Sequence, residues 1–241
     1  MATTDIESKI AKLLAMAEGT TNAHEAEAFM AQAERLMLKY GVEQATLQAQ
    51  QAPGTKQEDI EIKQVLIPDG HGYALAMIQI AHAIGPSFSL RTLQSNVKGS
   101  GSKVAWFIGH TSDVEQAVTL FNSMVIQSKA QAVAWWRNEG RHNTIWLTEN
   151  DAYLARREFI FSFARGAGSR LAETLGKVVE QHGNGAELVL VDRADRVERW
   201  VDHNLKVGKG RATQRRTGAA EARQAGWKAG RDAINGKALQ G

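Results

Sequence analysis

The 241-residue sequence predicts an α+β fold: an N-terminal helical hairpin, a mixed body with a small β-sheet and two long helices, and a basic C-terminal tail. Three observations carry this reading. Residues 4–50 repeat apolar side chains at helical spacing, and residues 60–67 switch to strand-like alternation. Residues 204–241 hold nine Lys/Arg against two Asp/Glu, a net of +7 where the whole chain is +3, which leaves residues 1–203 at −4.

In the N-terminal unit, residues 1–50, Thr4 and Glu7 have capping-box spacing. Ile6, Ile10, Leu13, Leu14 and Ala17 then follow one helix face, and Gly19 ends it. Asn22 with Glu25 opens a second helix, whose buried stripe is Ala26, Phe29, Met30, Ala33, Leu36, Met37 and Tyr40. Gly41 stands where a left-handed C-cap belongs, and residues 42–49 suit a third short helix. The short connection folds the first two helices into an antiparallel hairpin. Residues 51–58, polar with Pro53 and Gly54, read as a linker to a body spanning 59–203.

In the body, IEIKQVLI at 60–67 is a strand, followed by a turn at Pro68, Asp69, Gly70 and Gly72. Residues 73–84 have the length and apolar content of a helix. Residues 88–93 and 104–108 read as two strands around a Gly/Ser loop at 94–103. Ser112 is placed to cap a helix from Asp113 to Asn138, at whose end Trp135 and Trp136 point about 100° apart, one of them inward. The second long helix covers 148–181 and contains Gly166, Gly168 and Gly176. Each glycine costs about 1 kcal/mol relative to alanine in a helix interior, so close packing or a kink is expected there. ELVLVD at 187–192 reads as a short strand before a helix at 193–205.

The N-terminal motifs Lys12-Leu13-Leu14-Ala15, Ala17-Glu18, His24-Glu25-Ala26-Glu27-Ala28 and Ala33-x-x-Leu36-Met37-x-x-Tyr40-Gly41 resemble a small helical domain of unknown function found in phage, prophage and bacterial proteins. The resemblance covers residues 9–42. Phe107-Ile108-Gly109-His110 through Ala117, and residues 159–171, are similar to the region that follows this domain in phage proteins. The resemblance implies a phage-type accessory protein and brings no catalytic residue with it.

The body names no reaction. Zero cysteines exclude disulfides, thiolate metal sites and a cysteine nucleophile. No apolar run is long enough to span a membrane, and the first residues lack a secretory signal, so a cytoplasmic location is expected, the host cytoplasm for a phage-encoded chain. None of the seven histidines forms an H-E-x-x-H or H-x₃₋₅-H pair, and neither a metal nor a cofactor is expected. His110, in GHTSD at a strand–helix junction, suits an anion site, or a half-exposed position beside a Ser112 cap; the second reading is favoured. Asp192, Asp195 and Glu198, like Glu149 and Asp151, suit either metal ligation or the first turn of a helix, where acids complement the dipole. Arg156, Arg157, Arg165 and Arg170 either extend a basic surface or pair with Glu158 and Glu173.

The tail carries the sharpest functional signal. Lys206, Lys209, Arg211, Arg215, Arg216, Arg223, Lys228 and Arg231 can neutralise phosphates, and Trp227 offers a stacking face for an unpaired base. With no base-reading motif, DNA or RNA would be bound with little sequence specificity. Residues 218–233 are Ala-rich and suit a short helix with Arg223, Trp227 and Arg231 along one face. Such a face could equally dock on the acidic body or on a protein. The alternatives are a module that binds a host or virion protein or forms a homo-oligomer, and a metal-dependent nuclease using scattered acids and histidines. No membrane partner is expected.

Overall fold

A computed structural model describes residues 2–51, 58–69, 72–142, 148–183, 185–208 and 220–232. Among them the chain forms seven α-helices and one three-stranded antiparallel sheet: α1 (Ala2–Gly19), α2 (Ala23–Ala49), β1 (Ile60–Ile67), α3 (Ala74–Ile84), β2 (Arg91–Asn96), β3 (Lys103–His110), α4 (Thr111–Asn138), α5 (Glu149–His182), α6 (Ala186–Asn204) and α7 (Ala220–Asp232). The fold is α+β, as the sequence predicts.

The N-terminal helices form where periodicity places them. Asn22 caps α2 by accepting from the His24 amide, and Ile10, Leu13, Leu14, Ala17, Met30, Ala33 and Met37 are buried. Gly41 does not end the second helix. α2 runs through it to Ala49 because Val42 and Ala45 continue the buried stripe. These side chains share one core with Phe107, Phe121, Phe159, Leu171 and Ala222, so the hairpin packs on the body.

The sheet has the order β1-β3-β2, with Phe107 opposite Lys63 and Thr92. Its inner face, Ala105 and Phe107, rests on the helical core. Residues 85–88 turn in a 3₁₀ helix around Pro86, and Ser89 turns back with φ 53°, so β2 starts at Arg91, later than the predicted 88–93. The predicted strand at 187–192 is also corrected: these residues are the first turns of α6. A six-residue apolar run cannot separate helix from strand by period alone. Here Ala186, Arg193, Val197 and Val201 set a helical stripe, and Leu188 is left 74% exposed.

Trp135 is buried against Phe159, and Trp136 is half-buried beside it. Thr148 and Asp151 close a reciprocal capping box at the start of α5. The α5 glycines divide by neighbour. Gly166 faces the α7 backbone at Trp227 and Arg231, Gly168 faces Ala83 of α3, and Gly176 has open space. From the other side, Gly226 and Gly230 of α7 lie against the carbonyls of Phe159 and Phe163. Backbone therefore meets backbone at the α5–α7 crossing, and a Cβ at Gly226 or Gly230 would overlap a carbonyl oxygen.

Two substitutions of the same chemistry should thus act in opposite directions. Gly230→Ala forces the two helices apart and is expected to destabilise by about 1–3 kcal/mol. Gly176→Ala meets nothing within 4 Å and should stabilise by about 0.5–1 kcal/mol. Urea unfolding of both variants checks this; equal shifts would contradict the crossing.

Candidate nucleic-acid interface

The sequence places its cationic candidates after α6, and the structure fixes both ends of that stretch. α6 ends at Asn204, with Leu205 packed beside Ile108, Val197 and Val201. α7 resumes at Ala220 on the side of α5. Residues 205–219 between them hold Lys206, Lys209, Arg211, Arg215 and Arg216 and no Asp or Glu. Lys206 is exposed; Lys209, Arg211, Arg215 and Arg216 lie outside the described residues.

On α7 the candidates separate. Trp227, 39% exposed, and Lys228 face solvent, and Arg223 is half-buried. Arg231 is engaged within the fold. It donates to Ser169 Oγ at 2.7 Å and to both Glu173 oxygens at 2.6 and 3.1 Å, and its guanidinium lies over the Trp227 ring at 5.8 Å. The helix predicted at 218–233 is present at Ala220–Asp232, with its glycine face on α5.

Arg170 is not a surface residue. It is buried on α5 and holds Glu34 of α2 side-on, through Nε to Oε2 at 2.9 Å and through Nη2 to Oε1. Its Nη1 donates to the Gly230 carbonyl of α7. Burial pushes the Glu34 carboxyl up, against the pull of the guanidinium. Arg165 remains exposed.

A second polar hub surrounds Arg193 of α6, which the sequence reading passed over. Its Nε reaches Asp113 at 2.6 Å, Nη1 reaches Gln48 at 2.7 Å, and Nη2 reaches Glu58 at 2.7 Å and Ser112 Oγ at 3.3 Å. Ser112 does not cap α4. Its amide donates to Glu58 Oε1 at 2.5 Å, so a carboxylate from the preceding segment meets the helix N-terminus, where the dipole favours negative charge. Burial alone would raise the Glu58 carboxyl, but hydrogen bonds from Arg193, Gln48 and Ser112 bring it down to about 2. Burial also pushes Asp113 up.

His110, read as half-exposed, is fully buried at the N-terminus of α4, and neither ring nitrogen has a hydrogen-bond partner. Burial, helped by the Arg193 and Arg196 charges, brings it down to about 4. It is a neutral interior group, out of reach of a solvent anion. Asp192 lies on the α6 surface, 3.8 Å from Arg199, and Glu198 pairs with Arg91 at 3.4 Å. Among the described residues no three His, Cys, Asp or Glu side chains gather as a metal site would require, and no helix is long and apolar enough to cross a membrane.

Because the folded His110 titrates near 4 rather than 6.5, its stabilising contribution is complete above 6.5 and is lost as pH falls from 6.5 through 4. The loss is about 3 kcal/mol. His110→Leu keeps the volume and removes the titration. Its stability relative to wild type should therefore improve by about that amount between pH 6.5 and 4, read from urea midpoints. A constant difference across this window would contradict the assignment.

Comparison with known proteins covers the N-terminal helices. Residues 6–44, covering most of α1 and most of α2, match the family model described as "Protein of unknown function (DUF2786)". No curated protein and no solved structure matches the chain.

Proposed function

We propose that this chain is a phage-type accessory protein of the cytoplasm that binds nucleic acid, with little sequence specificity, through residues 205–219 and the exposed side of α7. The observation that carries the reading is the charge of the stretch that joins α6 to α7, five cations and no acid. A polyanion that engages them releases counterions, the main source of sequence-independent affinity. Lys228 and Trp227 extend the surface, with Trp227 available for stacking. Arg231, neutralised by Glu173, anchors the helix. The phage-type setting rests on the resemblance of the N-terminal motifs.

Removing residues 204–241 would be a poor test, because it deletes α7 and leaves Arg170 without its Gly230 contact. Replacing Lys206, Lys209, Arg211, Arg215 and Arg216 by alanine keeps α7. For duplex and single-stranded oligonucleotides, this variant should lose most of its affinity at 0.1 M salt. Its log–log salt slope should fall by about 3 to 5 units. Binding with an unchanged slope would refute the proposal.

A protein-binding role is the second reading. It is favoured by the apolar side chains Leu188 and Val191, 74% and 52% exposed one turn apart on α6. A partner retained from lysate after nuclease treatment, and lost in Leu188→Asp, would select it.

A further inference from the structure

Among the described residues β1 pairs with β3 alone, so one of its edges is free. The ladder continues one pair beyond the strands, where the Thr111 amide donates to the Asp59 carbonyl at 3.3 Å. Bonded and unbonded pairs alternate along an antiparallel ladder. Counted from Asp59 and Thr111, the bonded pairs are Glu61–Gly109, Lys63–Phe107 and Val65–Ala105, and those of Ile62 and Gln64 are unbonded. The N–H and C=O groups of Ile62 and Gln64 therefore point away from β3, along the free edge.

That edge opens into a groove of about 670 Å³. Glu61, Ile62 and Lys63 all line it. Consecutive strand residues point to opposite faces, so what these three share toward the groove is the strand edge itself. Glu7 and Ile10 of α1 and Met37 of α2 stand across from it, and Val114, Glu115 and Gln116 of α4 close the side. Ile10, Met37 and Val114 are buried and make an apolar floor. Glu7 and Glu115 are exposed and Glu61 is half-buried, and Lys63 is the single base beside these three carboxylates. In the α4 wall both side-chain amide atoms of Gln116 are out of solvent without a hydrogen-bond partner. The wall thus holds a donor and an acceptor that a ligand can satisfy. Glu7, Ile10 and Met37 belong to the segment that matches the family model, and Glu61 and Glu115 to the body, so neither part forms the groove alone.

We propose that this groove binds an extended basic segment of a partner protein, added to the sheet as a fourth strand on β1. Main-chain pairing with Ile62 and Gln64 supplies affinity, and alternate side chains supply selectivity. Glu61 lies opposite Gly109, on the same face as Lys63 and Phe107, so the segment's helix-facing side chains meet the carboxylates and are Lys or Arg. Its outward side chains lie beside Ile62 and Leu66, the latter 60% exposed, and are aliphatic. A second copy pairing through the same edge would bring its own α1 against this one, whereas a single segment needs the room of one strand. The site uses none of residues 205–219 and is independent of the nucleic-acid reading.

The test uses the full chain and a blocked peptide of alternating Lys and Val as long as β1, eight residues. The peptide should bind saturably and slow amide exchange at Ile62 and Gln64 by about tenfold or more, with little change at Glu61 and Lys63, which already bond to β3. The same peptide N-methylated at every residue keeps its charge but has no backbone donors, and should bind about tenfold more weakly. Glu in place of Lys should weaken it as much. Glu7→Lys combined with Glu115→Lys, both at exposed positions, should cost about tenfold, and less at high salt. Ile62→Pro deletes an edge donor that the sheet does not use, a place where proline is tolerated, and should cost a similar factor. No saturable binding, or binding unchanged by N-methylation or by the charge variants, would overturn the proposal. So would protection of Ile62 and Gln64 in the free chain, which would assign the edge to the chain's own residues or, where it rises with protein concentration, to a second copy.

Discussion

Arg170 is the side chain on which the arrangement of the helices depends. It is buried on α5, and three groups converge on it: two carboxylate oxygens of Glu34 on α2 and the Gly230 carbonyl on α7. Taking a guanidinium and a carboxylate out of water costs several kcal/mol per ion, and only close geometry with further hydrogen bonds offsets it. Removing either partner would strand the other, at about 3–5 kcal/mol. The three helices must therefore be present together. That necessity explains why α7 approaches α5 closely enough to need glycine at three positions, since a side chain at Gly226 or Gly230 would hold the Gly230 carbonyl away from the guanidinium.

Arg193 does related work at the C-terminal end of α2. It ties Gln48, at the end of that helix, to Glu58, Asp113 and α6. Both hubs use arginine, whose planar fork can serve several acceptors at once, where a lysine would act as a point charge. The residues matching the family model include Glu34, so the matched segment is bound into the rest of the chain through a buried ion pair.

Much of the fold was legible in the sequence because local signals and burial agree there. The stripes of α1 and α2, the Asn22 cap, the alternation of β1 and the Thr148 start of α5 are short-range patterns. The hubs were not legible because their partners are far apart in sequence. Yet Glu34 had a signal: it stands between Ala33 and Met37 on an apolar helix face, where a charge needs a buried partner. Gly166, Gly226 and Gly230 gave half of theirs. Each predicts a close approach, but none names the backbone it approaches. The apolar run 187–192 was misread because its side chains could suit either element, and the decision came from Val197 and Val201 farther along. Of the candidate site, the cations and Trp227 were legible as charge and aromatic content. Their division into exposed Lys228 and fold-bound Arg231 was not, because it is decided by Glu173, 58 residues away.

This division changes the meaning of the basic C-terminal charge. Cations that close internal contacts, such as Arg170, Arg193 and Arg231, are matched by Glu34, Asp113, Glu58 and Glu173 and add little to the outward field. Five of the nine cations of residues 204–241 fall in residues 205–219, a stretch without an acid of its own. A chain fixed at one end samples a wide volume, and ordering it against a ligand offsets much of the attraction. On the proposed nucleic-acid reading, fixing the second end through α7 removes part of that entropy during folding, and the same five charges would act at higher effective concentration. On that reading the buried Arg170 contact with Gly230 would contribute to binding from a distance, by holding α7, the helix in which the cationic stretch ends.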